Sequence, residues 1–155
     1  MKTVGEVMTR EVVTFQPGAS VAEVARALRE RGISGGPVVD GGRVVGIVSE
    51  ADLLRLLESY QMRIETFLPT PFDILELPVR MGLSLKGLEE RAKRTSATKV
   101  EEVMTREVVS IGSDAPIGEA ARLMMAKGVN RLPVLDREKR LVGIVTRGDL
   151  VSSLA

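Results

Sequence analysis

The chain has 155 residues, 44% of them hydrophobic, and balances 22 basic against 21 acidic side chains, so it can bury a core but has no overall field to draw in nucleic acid or an anionic membrane. It holds neither cysteine nor histidine, which excludes disulfides, thiol nucleophiles, cysteine zinc sites, Ser-His pairs and histidine metal sites. Its aspartates are spread along the chain without the alternation of a calcium loop, so no enzyme and no catalytic cofactor are expected.

The elements begin with an octapeptide. Glu-Val-Met-Thr-Arg-Glu-Val-Val at Glu6–Val13 returns unchanged at Glu102–Val109, and the match continues through Gly32 and Gly128, Pro37 and Pro133, and Asp40 and Asp136. The chain is therefore an internal duplication, and each predicted element has a twin. Met8 and Met104, at the two openings, read as packing residues.

Val12-Val13-Thr14-Phe15 reads as a short strand ended by the turn Gln16-Pro17-Gly18. Ser20 with Glu23 three residues on marks a helix start, Val21, Val24, Ala25 and Leu28 fall on one face, and Gly32 stops the helix. Pro116, Ile117, Ala120, Ala121, Met124 and Gly128 repeat this in copy two. Two apolar runs, Pro37–Asp40 and Arg43–Val48, are joined by the hairpin signature Asp40-Gly41-Gly42, and copy two has the longer turn Asp136–Lys139. Last helices begin near Glu50 and Arg147.

Between the copies lies a segment of roughly forty residues without a twin, where Thr70-Pro71-Phe72-Asp73 carries helix-start signals and apolar anchors follow. Leu85–Arg94 reads as a second, charged helix, and Thr95–Thr98 as the linker into copy two. The start lacks a signal peptide's apolar centre and no apolar run is long enough to span a bilayer, so a soluble, cytoplasmic protein without a membrane partner is expected.

The repeat with most chemistry is Gly46-Ile47-Val48-Ser49-Glu50-Ala51-Asp52 and its twin Gly143-Ile144-Val145-Thr146-Arg147-Gly148-Asp149. Each delivers a hydroxyl onto a helix start with an aspartate one turn later. Two readings stand side by side. The residues make a capping box worth about 1 kcal/mol. Alternatively, the helix start binds phosphate and the carboxylate accepts from ribose hydroxyls. Periodicity does not separate them.

Taken together, the Val-Met-Thr-Arg opening, strand, helix, Pro-Val-x-Asp hairpin and Gly-Ile-Val-Ser/Thr-x-x-Asp closing, all in duplicate, resemble the cystathionine β-synthase (CBS) domain in a tandem pair, also called a Bateman module. The resemblance covers nearly the whole chain outside the central insert. It implies an α+β fold of two lobes, each about βαββα, in pseudo-twofold arrangement with a helical insert: repeat 1 over 1–58, insert and linker over 59–98, repeat 2 over 99–155.

The resemblance also implies clefts that bind an adenosine compound such as AMP, ADP, ATP or S-adenosylmethionine. Asp52 and Asp149 match the family's ribose-binding aspartates, and Ser49 and Thr146 the neighbouring hydroxyls. Val109 and Ser110 would complete the Asp52 site, and Val13 and Thr14 the Asp149 site. Arg131 falls where similar domains place a basic residue near phosphates. Its counterpart in copy one is Gly35, and its plain alternative is a solvent-facing loop cation. The expected function is a regulatory, energy-sensing ligand-binding module, paired as a homodimer, acting on a separate protein or through its own assembly. The competing expectation is a ligand-free interaction module in which the two Ser/Thr-x-x-Asp units are only caps. Nucleic acid is the weakest partner, since only 3% of residues are aromatic.

Overall fold

In the computed structural model the described residues are 2–65 and 93–155, with side chains over 2–59 and 93–155. In chain order they form α1 (Val4–Val7), α2 (Val21–Arg31), β1 (Gly35–Asp40), β2 (Arg43–Ser49), α3 (Glu50–Glu65), α4 (Val100–Val103), β3 (Ile111–Gly112), α5 (Ile117–Lys127), β4 (Arg131–Leu135), β5 (Leu141–Thr146) and α6 (Arg147–Ser152). The fold is α+β with two lobes, each a small sheet with helices. The helix starts and anchors read at Thr70–Leu77, and most of the charged stretch Leu85–Arg94, lie outside the described residues.

Local signals set most boundaries. The Ser20 N–H donates to Glu23 Oε2 at 3.3 Å and the Glu23 N–H donates to Ser20 Oγ at 3.1 Å, closing a reciprocal cap that satisfies two donors at the start of α2. Gly32 and Gly128 end α2 and α5 with φ of 63° and 64°, a left-handed turn that costs glycine nothing. Val21, Val24 and Leu28 are buried as the helical spacing predicts, but Ala25 is exposed, at the edge of the stripe, where a methyl group has little to bury. Residues 93–97 are helical, so most of the expected linker Thr95–Thr98 is helix; the Thr98 hydroxyl donates to the Arg94 carbonyl at 3.1 Å and satisfies one of its open ends.

The expected first strand is nearly absent in copy one. Of Val12–Phe15, Phe15 alone makes a bridge, parallel to Val38, with the Phe15 N–H donating to Pro37 O at 3.0 Å and the Val39 N–H to Phe15 O at 2.8 Å. In copy two the matching β3 has two residues and pairs in parallel with β4, which pairs antiparallel with β5 in the order β3-β4-β5. β1 and β2 form a two-stranded sheet.

The chain divides into two compact units that cut across the copies: Met1–Pro17, Gly36–Ile47 and Thr105–Ala155 make the first, Gly18–Gly35 and Val48–Met104 the second. Exchange of the opening segments accounts for part of this. In the first unit Thr3 bridges Pro116 and Thr9 bridges Ile144, so copy one's opening lies on copy two's elements, while Thr105 of copy two's opening bridges Ile47. In the second unit the twin of the first contact recurs, as Lys99 bridges Ser20. The core of the first unit, Val4, Ile111, Ala120, Met124, Leu132, Val134 and Val145, accordingly takes Val4 from copy one and the rest from copy two. The second unit buries Val21, Val24, Leu28, Val48, Val100 and Met104, with α3 packed on α2 and on α4.

Two glycines allow close approach. A Cβ at Gly143 would lie 2.5 Å from Met8 Sδ and 3.0 Å from the Thr9 carbonyl, and one at Gly36 would lie 2.6 Å from the Val13 carbonyl. Met8 packs against the core of the first unit and Met104 is buried, as the packing reading of both requires.

Candidate functional site

β5 ends at Thr146 with extended backbone and passes directly into α6. The Thr146 N–H donates to Asp149 Oδ2 at 3.0 Å, and the Asp149 N–H donates to Thr146 Oγ1 at 3.1 Å, so the capping box foreseen in copy two is formed. α6 has only six residues, which weakens the helix-start anion argument because few peptide dipoles are aligned.

Thr9 adds a third group that the sequence reading did not include. Its hydroxyl lies 3.3 Å from both carboxylate oxygens of Asp149, placed there because Thr9 exchanges backbone hydrogen bonds with Ile144 (2.8 and 2.9 Å), next to the end of β5. An ionised carboxylate has about four acceptor positions, and one N–H with one hydroxyl shared at the long end of hydrogen-bond range leaves acceptor capacity over. Asp149 and Thr146 are half-buried and Thr9 is exposed, so a ligand hydroxyl has access to the group. The signal for Thr9 was the repeated octapeptide itself, whose Met-Thr-Arg core was read as a repeat marker and not as chemistry.

Arg131 opens β4 directly opposite Thr146 in the β4–β5 register and is 9% exposed. This corrects the loop reading: the residue is a buried strand residue, and burial of a guanidinium requires compensating polar partners where a loop cation would need none. Gly35 opens β1 in the same way and is buried. Arg131, Thr146 and Asp149 thus share one end of the copy-two sheet. Val13 is half-buried with its carbonyl against Gly36, and Thr14 is exposed; the hydroxyl that reaches Asp149 comes from Thr9, ahead of them in the same segment.

In the second unit Asp52 is 3% exposed. Its Oδ2 accepts from the Ser49 N–H at 2.8 Å and from the Ser49 hydroxyl at 3.3 Å, and Arg55 Nη2 contacts Oδ1. Val109 and Ser110 belong to the first unit, where Val109 packs on the core and Ser110 lines a cavity of about 360 Å³ with Arg43, Val44, Val108, Leu135 and Lys139. Among the described residues no cluster of acidic side chains could hold a metal ion, and no helix is long and apolar enough to cross a membrane.

Comparison with known proteins matches these elements to one family. The CBS domain model matches residues 4–59 and 100–155. The chain is 38% identical to the uncharacterized protein MJ1426 of Methanocaldococcus jannaschii over 150 residues, 96% of this chain and 89% of that one. Among solved structures it is similar to CBSX2 in complex with AMP, at 27% identity and a TM-score of 0.71, covering 99% of this chain and 96% of that one. It is also similar to the CBS domain pair of protein MJ0100 in complex with 5'-methylthioadenosine and S-adenosyl-L-methionine, at 25% identity and a TM-score of 0.69, covering 99% of this chain and 95% of that one. With both repeats matched and each closing on its hydroxyl-and-aspartate turn, the chain belongs to the CBS domain family, as a tandem pair.

Proposed function

We propose that the chain is a regulatory module that binds an adenosine compound, AMP, ADP, ATP or S-adenosylmethionine, and signals by changing conformation or assembly, with no reaction of its own. The observation that carries this reading is the Asp149 carboxylate, fixed by the Thr146 N–H and the Thr9 hydroxyl yet retaining acceptor capacity on an accessible face. A vicinal diol presents two donors to such a carboxylate, which is how a ribose is held in other nucleotide sites. Arg131, on the neighbouring strand end, is assigned to the phosphate, and Val13 and Thr14 to the base. AMP in CBSX2, and 5'-methylthioadenosine with S-adenosyl-L-methionine in MJ0100, support the ligand class.

Binding regulates only if the ligand prefers one of two states, so the reading includes a second copy of this chain, or a separate protein, whose association the ligand biases. A second reading, a ligand-free interaction module, is favoured by the intact capping box at Thr146 and Asp149, which needs no ligand to explain it. Calorimetry with AMP, S-adenosylmethionine and adenosine decides between them. Saturable heat with at least one of these supports the sensor, and none at millimolar ligand with the folded protein leaves the interaction module.

A further inference from the structure

The two copies differ three residues past the aspartate, where copy one has Arg55 and copy two has Ser152. Arg55 Nη2 contacts Asp52 Oδ1, while Oδ2 already takes both the N–H and the hydroxyl of Ser49. Both oxygens of Asp52 are therefore engaged by the turn and helix that carry it. The carboxylate is 2% exposed, whereas the Arg55 side chain is 63% exposed and lies over it with most of its surface in water. Asp149 has no arginine at the matching position, and the Thr9 hydroxyl lies 3.3 Å from both of its oxygens.

We propose that Arg55 is a latch on Asp52, an ion pair internal to copy one that closes this carboxylate to ligand hydroxyls and thereby sets the unequal strength of the two aspartates. This rests on the adenosine reading above and adds to it the residue that ranks the two positions. A diol approaching Asp149 uses the acceptor capacity left there and has at most one long, neutral-donor hydrogen bond to displace. At Asp52 it must displace a charge-assisted contact, and such contacts are the stronger class. Exposure limits the effect: a pair with one partner largely in water is worth at most about 1 kcal/mol, roughly a fivefold change in affinity. A latch of that strength is releasable, so the Asp52 position answers only at higher ligand concentration.

The test is calorimetric titration of AMP into the full chain as wild type, Asp149→Ala, Arg55→Ser and the double variant Asp149→Ala with Arg55→Ser. In the Asp149→Ala background only the Asp52 position remains, and Arg55→Ser is expected to tighten AMP by about threefold to fivefold. Arg55→Gln, which removes the charge but keeps a long polar side chain, is expected to act in the same direction. Unchanged or weaker binding in both, while Asp149→Ala alone still lowers wild-type affinity, overturns the latch and spares the adenosine reading. Absence of AMP heat in wild type and in every variant overturns both. Loss of the circular-dichroism melt in both Arg55 variants would make the pair a structural tie, and would also overturn the proposal.

Discussion

Asp149 and Asp52 are the same residue copied into two surroundings, and the difference lies in single side chains nearby. Asp149 lies on the same sheet end as Arg131 and has Ser152 three residues on, whereas Asp52 meets Arg55 with Gly35 at the place of Arg131. Replacing Arg131 by Ala is expected to weaken AMP about tenfold more than adenosine, because only the phosphorylated ligand loses a charge-assisted contact. Calorimetry with the two ligands on one variant provides the check, and equal losses would show that Arg131 serves the fold alone. A second residue-scale expectation concerns Gly36. A methyl group there would meet the Val13 carbonyl, so Gly36→Ala is expected to destabilise the fold by about 1–3 kcal/mol in urea denaturation. A midpoint equal to wild type would mean that the Val13 segment moves aside without cost.

Individual elements differ in how openly the sequence announces them, and the physical reason is range. α2 is legible from Ser20, Glu23 and Gly32 because caps act within one turn, and the hairpins are legible from Asp40-Gly41-Gly42 and Asp136–Lys139 because turn chemistry is equally local. The Val12–Phe15 strand reads as β from composition but gains a bridge only at Phe15, since strand identity depends on a partner that composition does not name. Thr9 was missed for the same reason: it acts on Asp149 from 140 residues away. The plain alternative for Arg131, a solvent-facing loop cation, stays open in the sequence because the residue's burial comes from neighbouring elements and not from its own sequence. One element carries a pH expectation. Hydrogen bonds from the Arg140 and Glu138 N–H groups, with the Arg140 guanidinium, hold the Asp136 carboxyl below its ordinary value of 3.8, the Arg140 N–H contributing most. A lowered folded value gives stability that is full above the ordinary value and is lost as pH falls through the lower, folded one. The melting temperature of Asp136→Asn is therefore expected to lie below wild type at neutral pH, and the gap to close on acidification below 3.8; a gap independent of pH would contradict the role given to the charge.

For the molecule as a whole, duplication with exchanged openings means that one copy cannot complete its surroundings alone: Val4, Val7 and Met8 of copy one pack in a core otherwise drawn from copy two. The same duplication leaves matching apolar side chains outside. Leu54 and Leu57 on α3 correspond to Val151 on α6 and Leu154 just past it, and all four are exposed. Beside α6 an apolar groove of about 480 Å³ is lined by Ile117, Met124, Met125, Leu150, Val151 and Leu154. Equivalent apolar surfaces on a duplicated chain suit isologous pairing, which buries each of them twice. Twice the chain mass is expected in sedimentation equilibrium at micromolar protein, shifting toward a single chain in a Leu54→Glu, Val151→Glu variant. Wild type at a single chain mass throughout would remove the second copy as the partner. The adenosine reading itself meets its most direct test in one comparison, AMP titrated calorimetrically into wild type and into Asp149→Ala. Saturable binding by wild type that weakens about tenfold or more in the folded variant is the expected result; binding unchanged by the substitution, or absent from wild type, would contradict it.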